Sequence, residues 1–231
     1  MRIGKKGDMH LEMILSFVIF TGFTIFLLAV FNPIKINKSS NDLEIAKREI
    51  LKDATTEVDF LTIKLTNAPV AGDCFSFDYD DINNNKKAIV NKPDNSRVNA
   101  KKSGKKISIM PNDNTQTYFI KAEKEDFSEN GNVCSNNSLQ PTTGYIVGAS
   151  ISYNMTSLKK IESLKSRYDL DYNQLKEDIG ISMNFGFEVV DENIKAEKQI
   201  QQGKNVIANT IPIQIVYADG IKYRKLIIKV W

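Results

Sequence analysis

The sequence predicts an α+β protein. Its expected parts are an N-terminal transmembrane helix, a second amphipathic helix, and a mainly antiparallel β head with a short helical pair and a C-terminal hairpin. Three observations predict this. Residues 13–31, MILSFVIFTGFTIFLLAVF, carry no charge. Apolar residues recur three or four apart at Leu43, Ala46, Ile50, Ala54 and Val58, the stripe of a helix with one buried face. Short β-branched and aromatic runs separated by Asn-, Asp- and Gly-rich turns fill most of the rest.

The first element follows from length and chargelessness. At 1.5 Å per residue the run 13–31 would cover about 28 Å, close to the roughly 30 Å of a hydrocarbon core. In lipid a backbone must satisfy its own hydrogen bonds, so the run is expected to be helical. Asn32-Pro33 ends it, because the residue before proline is pushed out of the α region. A cleaved secretory segment would be shorter and followed by small residues, whereas Asn-Pro-Ile-Lys follows here. Arg2, Lys5 and Lys6 before the run, against Lys35 and Lys38 after it, favour a cytoplasmic N-terminus. The expectation is a single-pass protein of the cell membrane with the lipid bilayer as partner and its C-terminal part outside the cytoplasm. Sequons at Asn37, Asn136 and Asn154 are candidate glycosylation sites consistent with that side.

The residues just ahead of the run are the most informative. They read Lys5-Lys6-Gly7-Asp8-Met9-His10-Leu11-Glu12. A carboxylate costs about 2.5–3.5 kcal/mol at the centre of a bilayer and less at its interface, so Glu12 calls for a reason. This stretch resembles the class III signal of type IV pilin-like proteins, the archaeal ones above all. The resemblance implies that a prepilin-type peptidase recognises Lys5 and Lys6 and cuts after Gly7. Asp8 then becomes the N-terminus and Glu12 the fifth residue. It also implies partners: copies of itself or other pilin-like subunits. The resemblance covers only roughly the first 30 of 231 residues. It departs from the usual pattern at Asp8, where glutamine is customary, and at His10, where serine is.

Beyond the connector 34–41 the sequence predicts a helix from Leu43 to about Thr55, then a strand over 58–65. Further strands are expected over 74–79, 87–91, 106–110, 117–122, 145–153 and 181–190. Asn154 or Thr156 should cap a helix over 157–167, and Asp171 a second over 172–179. Residues 191–205 read as a polar surface excursion. Runs 211–217 and 221–230 flank Ala218-Asp219-Gly220, a strong hairpin signal. The expected divisions are 1–33 anchor, 34–57 connector and helix, 58–140 loop-rich β region, and 141–231 α+β region.

Composition excludes several chemistries. The only histidine is His10, so a His-based metal site or a Ser-His-Asp triad in the distal part is ruled out. Neither Cys74 nor Cys134 belongs to a C-x-x-C motif. No cofactor, metal or catalytic set is expected, and the chain does not read as an enzyme. The pair Cys74 and Cys134 is expected to form a disulfide, closing a loop of about 60 residues for roughly 4 kcal/mol on the chain-entropy account.

Residues 86–106 gather Lys86, Lys87, Lys92, Arg97, Lys101, Lys102, Lys105 and Lys106 against Asp94 alone. They form a candidate polyanion-binding loop for nucleic acid or glycan. The competing reading is a solvated, mobile loop, supported by the Asn, Ser and Gly around them. The stretch 78–85, DYDDINNN, lacks the glycine and the closing glutamate of a calcium loop, since Lys86 and Lys92 stand there. Asp169/Asp171 and Asp191/Glu192 sit where caps and turns are expected.

The combined expectation is a membrane-anchored, extracytoplasmic, pilin-like structural protein, a minor subunit of a surface filament or assembly. The alternative is a monomeric, membrane-tethered binding protein with a β-rich head.

Overall fold

The computed structural model describes residues 6–30, 38–79, 82, 84–129, 139–141 and 144–231. Helix α1 spans Lys6–Val30 and helix α2 Lys38–Ala54. Strands β1 (Thr55–Leu65), β2 (Cys74–Asp78), β3 (Lys87–Asn91), β4 (Arg97–Ser103), β5 (Lys106–Met110), β6 (Thr117–Glu123), β7 (Leu139–Pro141) and β8 (Tyr145–Ser157) follow. Then come α3 (Leu158–Leu170), α4 (Tyr172–Ile179), β9 (Phe185–Val189), β10 (Ile194–Ala196), β11 (Ile207–Tyr217) and β12 (Gly220–Val230). The chain divides into two units, Met1–Asn41 and Asp42–Trp231.

The expected fold class is corrected in two respects. The larger unit is built on one 12-stranded mixed sheet in the order β10-β9-β12-β11-β8-β1-β6-β3-β4-β5-β2-β7. Most pairings are antiparallel, but β8 with β11 and β2 with β7 are parallel, which local sequence periodicity cannot reveal. Secondly, among the described residues no helix is long and apolar enough to cross a membrane. The transmembrane helix, the signal anchor and the single-pass localisation are therefore withdrawn.

The elements of the larger unit form where apolar periodicity is locally consistent. Helix α2 buries Leu43, Ala46, Ile50 and Ala54, the stripe read from the sequence. Helix α3 buries Ile161, Leu164 and Tyr168; α4 buries Tyr172, Leu175 and Ile179. These three faces share one core with Phe185, Phe187, Ile215, Leu226, Ile228 and Val230 of the sheet. Each fully buried aliphatic or aromatic side chain there contributes about 1.5–3 kcal/mol. A second core, built on Leu61, Ile63, Phe75, Ile107, Tyr118 and Ile120, underlies the β1–β6 half.

Caps refine the expected boundaries. The N-cap of α3 is Ser157, whose hydroxyl accepts from Lys160 N at 3.1 Å, in place of the expected Asn154 or Thr156. Asp171 caps α4 as expected, accepting from Gln174 N at 3.1 Å. In the β11–β12 hairpin Tyr217 pairs with Gly220, so the two central residues are Ala218 and Asp219. The Asp-Gly pair thus straddles the end of the turn. Gly186 of β9 has a packing reason to lack a side chain: a Cβ there would lie 2.7 Å from the Ala196 carbonyl. The chain ends pinned, with Trp231 N–H donating to Asn184 O at 2.9 Å and Asn184 N–H donating to Trp231 O at 3.1 Å.

Candidate functional site

Of the residues expected to direct signal processing, Lys5 lies outside the described residues. Lys6, Gly7 and Asp8 form the first turn of α1, and Glu12 is exposed one turn further on. From there α1 displays apolar side chains in every direction. Met13, Ile14, Leu15, Phe17, Val18, Ile19, Phe20, Phe23, Ile25 and Phe26 are all well over half exposed, Phe17 and Phe20 at 69% each. Such a surface, more than two turns long and apolar all round, is one that water does not tolerate alone. It is the strongest functional feature of the N-terminal unit.

Cys74 is buried in β2 at 1% exposure and is disulfide-bonded. Cys134 lies outside the described residues, so no cysteine pair is present among them. Asn37 and Asn136 also lie outside, while Asn154 is exposed on β8. Asp81 and Asn83 of the calcium-like stretch are outside as well. Among the described residues no cluster of three or more metal-ligating side chains occurs.

The basic stretch is not a mobile loop. It folds as β3, β4 and β5, and half of its cations serve the fold. Lys86 donates to Glu57 Oε1 at 2.6 Å and Asp59 Oδ2 at 2.9 Å. Burial works against its charge, but these two carboxylates more than offset that and hold its pKa above the ordinary value. Lys92, 8% exposed, donates to Asp113 at 2.6 Å and draws that carboxyl down to about 2, with Thr115 assisting. Arg97 donates to the Ser128 carbonyl. Lys102 lies on the inner face of β4, where burial lowers its pKa, and reaches Asn84 O at 3.4 Å. Lys105 lies in the β4–β5 turn, its carbonyl accepting from Tyr79 N–H. Lys87, Lys101 and Lys106 are exposed on successive strands. The eight cations therefore do not converge on one concave face.

The acidic pairs are structural too. Asp169 accepts from Lys165 at 2.6 Å, and Asp171 is the α4 cap. Glu192 accepts from Tyr217 Oη at 2.5 Å and Arg224 Nε at 2.9 Å, which together hold its pKa low against burial. Sequence reading missed one buried pair. Glu123 is fully buried, its carboxylate accepting from Thr56 Oγ1 and from the backbone N–H groups of Glu125 and Asp126 at 2.7–2.8 Å. Asp126 accepts from Lys159 N–H at 3.0 Å, and burial raises its pKa. Both carboxylates are taken up by a tight turn and the start of α3, an arrangement suited to holding a chain bend.

The most apolar of the concave features lies in the sheet itself. Between β8 and β11 the sheet opens into a cleft whose apex is a pit of about 510 Å³. Leu51, Thr55, Met155, Ile211, Ile213 and Tyr223 line it. Tyr223 is 75% exposed at the rim, and its hydroxyl accepts from Gln214 Nε2 at 2.7 Å. No signal local to either strand could have shown this cleft, since it depends on how two distant strands diverge.

No family model, no curated protein and no solved structure matches this chain.

Proposed function

We propose that this chain is a pilin-like structural subunit that assembles with copies of itself through α1. The observation that carries the reading is the ring of exposed apolar side chains from Met13 to Phe26. Packing against like helices removes that surface from water at about 25 cal/mol per Å². The order Lys5-Lys6-Gly7-Asp8 with Glu12 at the foot of the helix supports the same reading, because processing after Gly7 would place a free α-amine four residues from a carboxylate. In a bundle the Glu12 carboxylate of one copy meets the Asp8 amine of the next. That pairing sets the axial register, as a single buried polar residue does in a coiled coil.

Mass spectrometry of the chain isolated from its own cells tests this. The expected N-terminus is Asp8. An intact Met1 or Arg2 on the mature protein overturns the processing and, with it, the pilin-like reading.

A further inference from the structure

Strand β8 is unusual for a strand in the middle of a sheet order. Among the described residues its backbone from Tyr145 to Asn154 pairs with β1 alone, and it meets β11 only at Thr156 and Ser157, opposite Ile215 and Val216. Strand β11 from Ile207 to Gln214 likewise pairs, among the described residues, only with β12. The two strands run parallel from their shared apex, so each turns an open edge of N–H and C=O groups toward the other. Residues 145–154 are exposed throughout, on both faces of the strand, Ile146 at 60% and Tyr153 at 51%.

Open edges are normally blunted by charge, proline or brevity. The outer edges of this sheet follow that rule: β10 is three residues long and carries Lys195, and β7 is three residues long and ends on Pro141. Of the inner edges, β11 carries Pro212, which removes one donor, while Tyr145–Asn154 of β8 is blunted neither by charge nor by proline nor by brevity. Tyr145–Asn154 (YIVGASISYN) and Ile207–Gln214 (IANTIPIQ) hold no charged residue, in a chain that is 26% charged. An edge without charges desolvates at little cost against another uncharged strand and repels none. Only an extended backbone free on both sides can satisfy two facing edges at once. The apolar pit at the apex supplies a socket for one side chain of such a strand.

We propose that the β8–β11 cleft is a strand-acceptor groove for an extended, uncharged segment of another polypeptide, with apolar side chains at alternate positions and one of them seated in the pit beside Leu51 and Ile213. This goes beyond assembly through α1 and is independent of it.

The test uses the full chain and two fluorescein-labelled peptides, TVTVTVTV and TKTKTKTK, with binding read by anisotropy and hydrogen exchange. The expected result is binding of TVTVTVTV at least tenfold tighter than of TKTKTKTK, with amide protection gained at residues 145–154 and 207–214. Ile151→Lys and Thr210→Lys, both at exposed positions, are each expected to weaken it tenfold or more while leaving the thermal midpoint of the chain unchanged. Absence of binding, equal binding of the charged peptide, or protection elsewhere overturns the proposal. So does concentration-dependent protection of residues 145–154 in the chain alone, which would make a second copy the occupant. A failed α1 assembly with the peptide result intact leaves this inference standing, so the two readings fail separately.

Discussion

The carboxylate of Asp42 accepts a 2.8 Å hydrogen bond from the backbone N–H of Met183, joining the start of α2 to the chain entering β9 across 141 residues. The same oxygen accepts from Ser182 N–H and Ser182 Oγ, each at 2.9 Å. Asp42 is 7% exposed, so little water competes for these bonds. They fasten α2 over the sheet at the end opposite Ala54.

Asp42→Ala is therefore expected to destabilise the fold by about 2–3 kcal/mol, because hydrogen bonds to a charged acceptor are lost and two backbone donors are orphaned. Urea unfolding followed by circular dichroism measures this. The pH dependence has a definite sign. Burial disfavours the charge, but the bonds from Met183 and Ser182 win and hold the folded pKa below the ordinary carboxyl value near 3.9. The unfolded state then binds the proton first as pH falls. The contribution of Asp42 is present above about pH 4 and is lost as pH drops through the depressed folded value. The alanine variant should differ most from the parent above pH 4 and approach it toward pH 2.

Tyr168 shows the opposite design, a neutral group kept neutral. Its hydroxyl donates to Phe185 O at 2.7 Å and accepts from Lys198 N–H at 3.1 Å, with the ring edge-on to Phe185 at 5.3 Å. Burial drives its pKa well above the ordinary tyrosine value. Tyr168→Phe keeps the ring and removes both bonds, leaving a buried carbonyl and a partly buried N–H unpaired. The expected loss is about 1–3 kcal/mol in the same unfolding measurement. An unchanged midpoint would mean that water replaces the hydroxyl.

The cations of β3–β5 divide by what they touch. Lys86→Met removes the partner of Asp59, whose carboxylate is nearly buried and, among the described residues, otherwise accepts only from Ser152 Oγ at 2.8 Å. Breaking a pair of that kind by deleting one member costs about 3–5 kcal/mol. Lys87→Gln, Lys101→Gln and Lys106→Gln change exposed side chains and should each stay within about 0.5 kcal/mol of the parent. Thermal unfolding of the four variants distinguishes the two groups. A stable Lys86→Met would show that Asp59 is better hydrated than its burial implies.

What the sequence revealed, and what it concealed, follows from range. Strands β3 and β5, the hairpin of β11 and β12, and helix α4 with its Asp171 cap were legible because each is set by neighbours in the chain. Strand β4 was missed because its inner face is Val98, Ala100 and the stem of Lys102, so a real alternation of buried and exposed positions looked like a basic loop. Strand β10, with only Ile194 and Ala196 facing inward, offered too short a pattern. The parallel contact of β8 with β11 joins residues about 60 positions apart, and the cleft it leaves is a property of divergence that no local pattern encodes. The candidate assembly surface is the reverse case. The apolar run was obvious, but a run of that kind admits more than one burial partner.

Glu12 and Gly7 provide the last prediction, a coupling between two positions five residues apart. If Glu12 of one copy pairs with the Asp8 amine of another, its contribution to assembly exists only after the chain has been cut. Glu12→Gln keeps the size of the side chain and its capacity to accept a hydrogen bond, and removes the charge. In processed protein it should weaken assembly about tenfold or more, on the order of 1.4 kcal/mol per contact, read by sedimentation of the assembled form. Gly7→Val blocks the small position ahead of the cut, so that residue 8 keeps an amide in place of an amine. In that background Glu12→Gln should have no further effect, because the charge it removes has lost its partner. Equal effects of Glu12→Gln in both backgrounds would break the coupling and assign Glu12 a role that does not involve the amine.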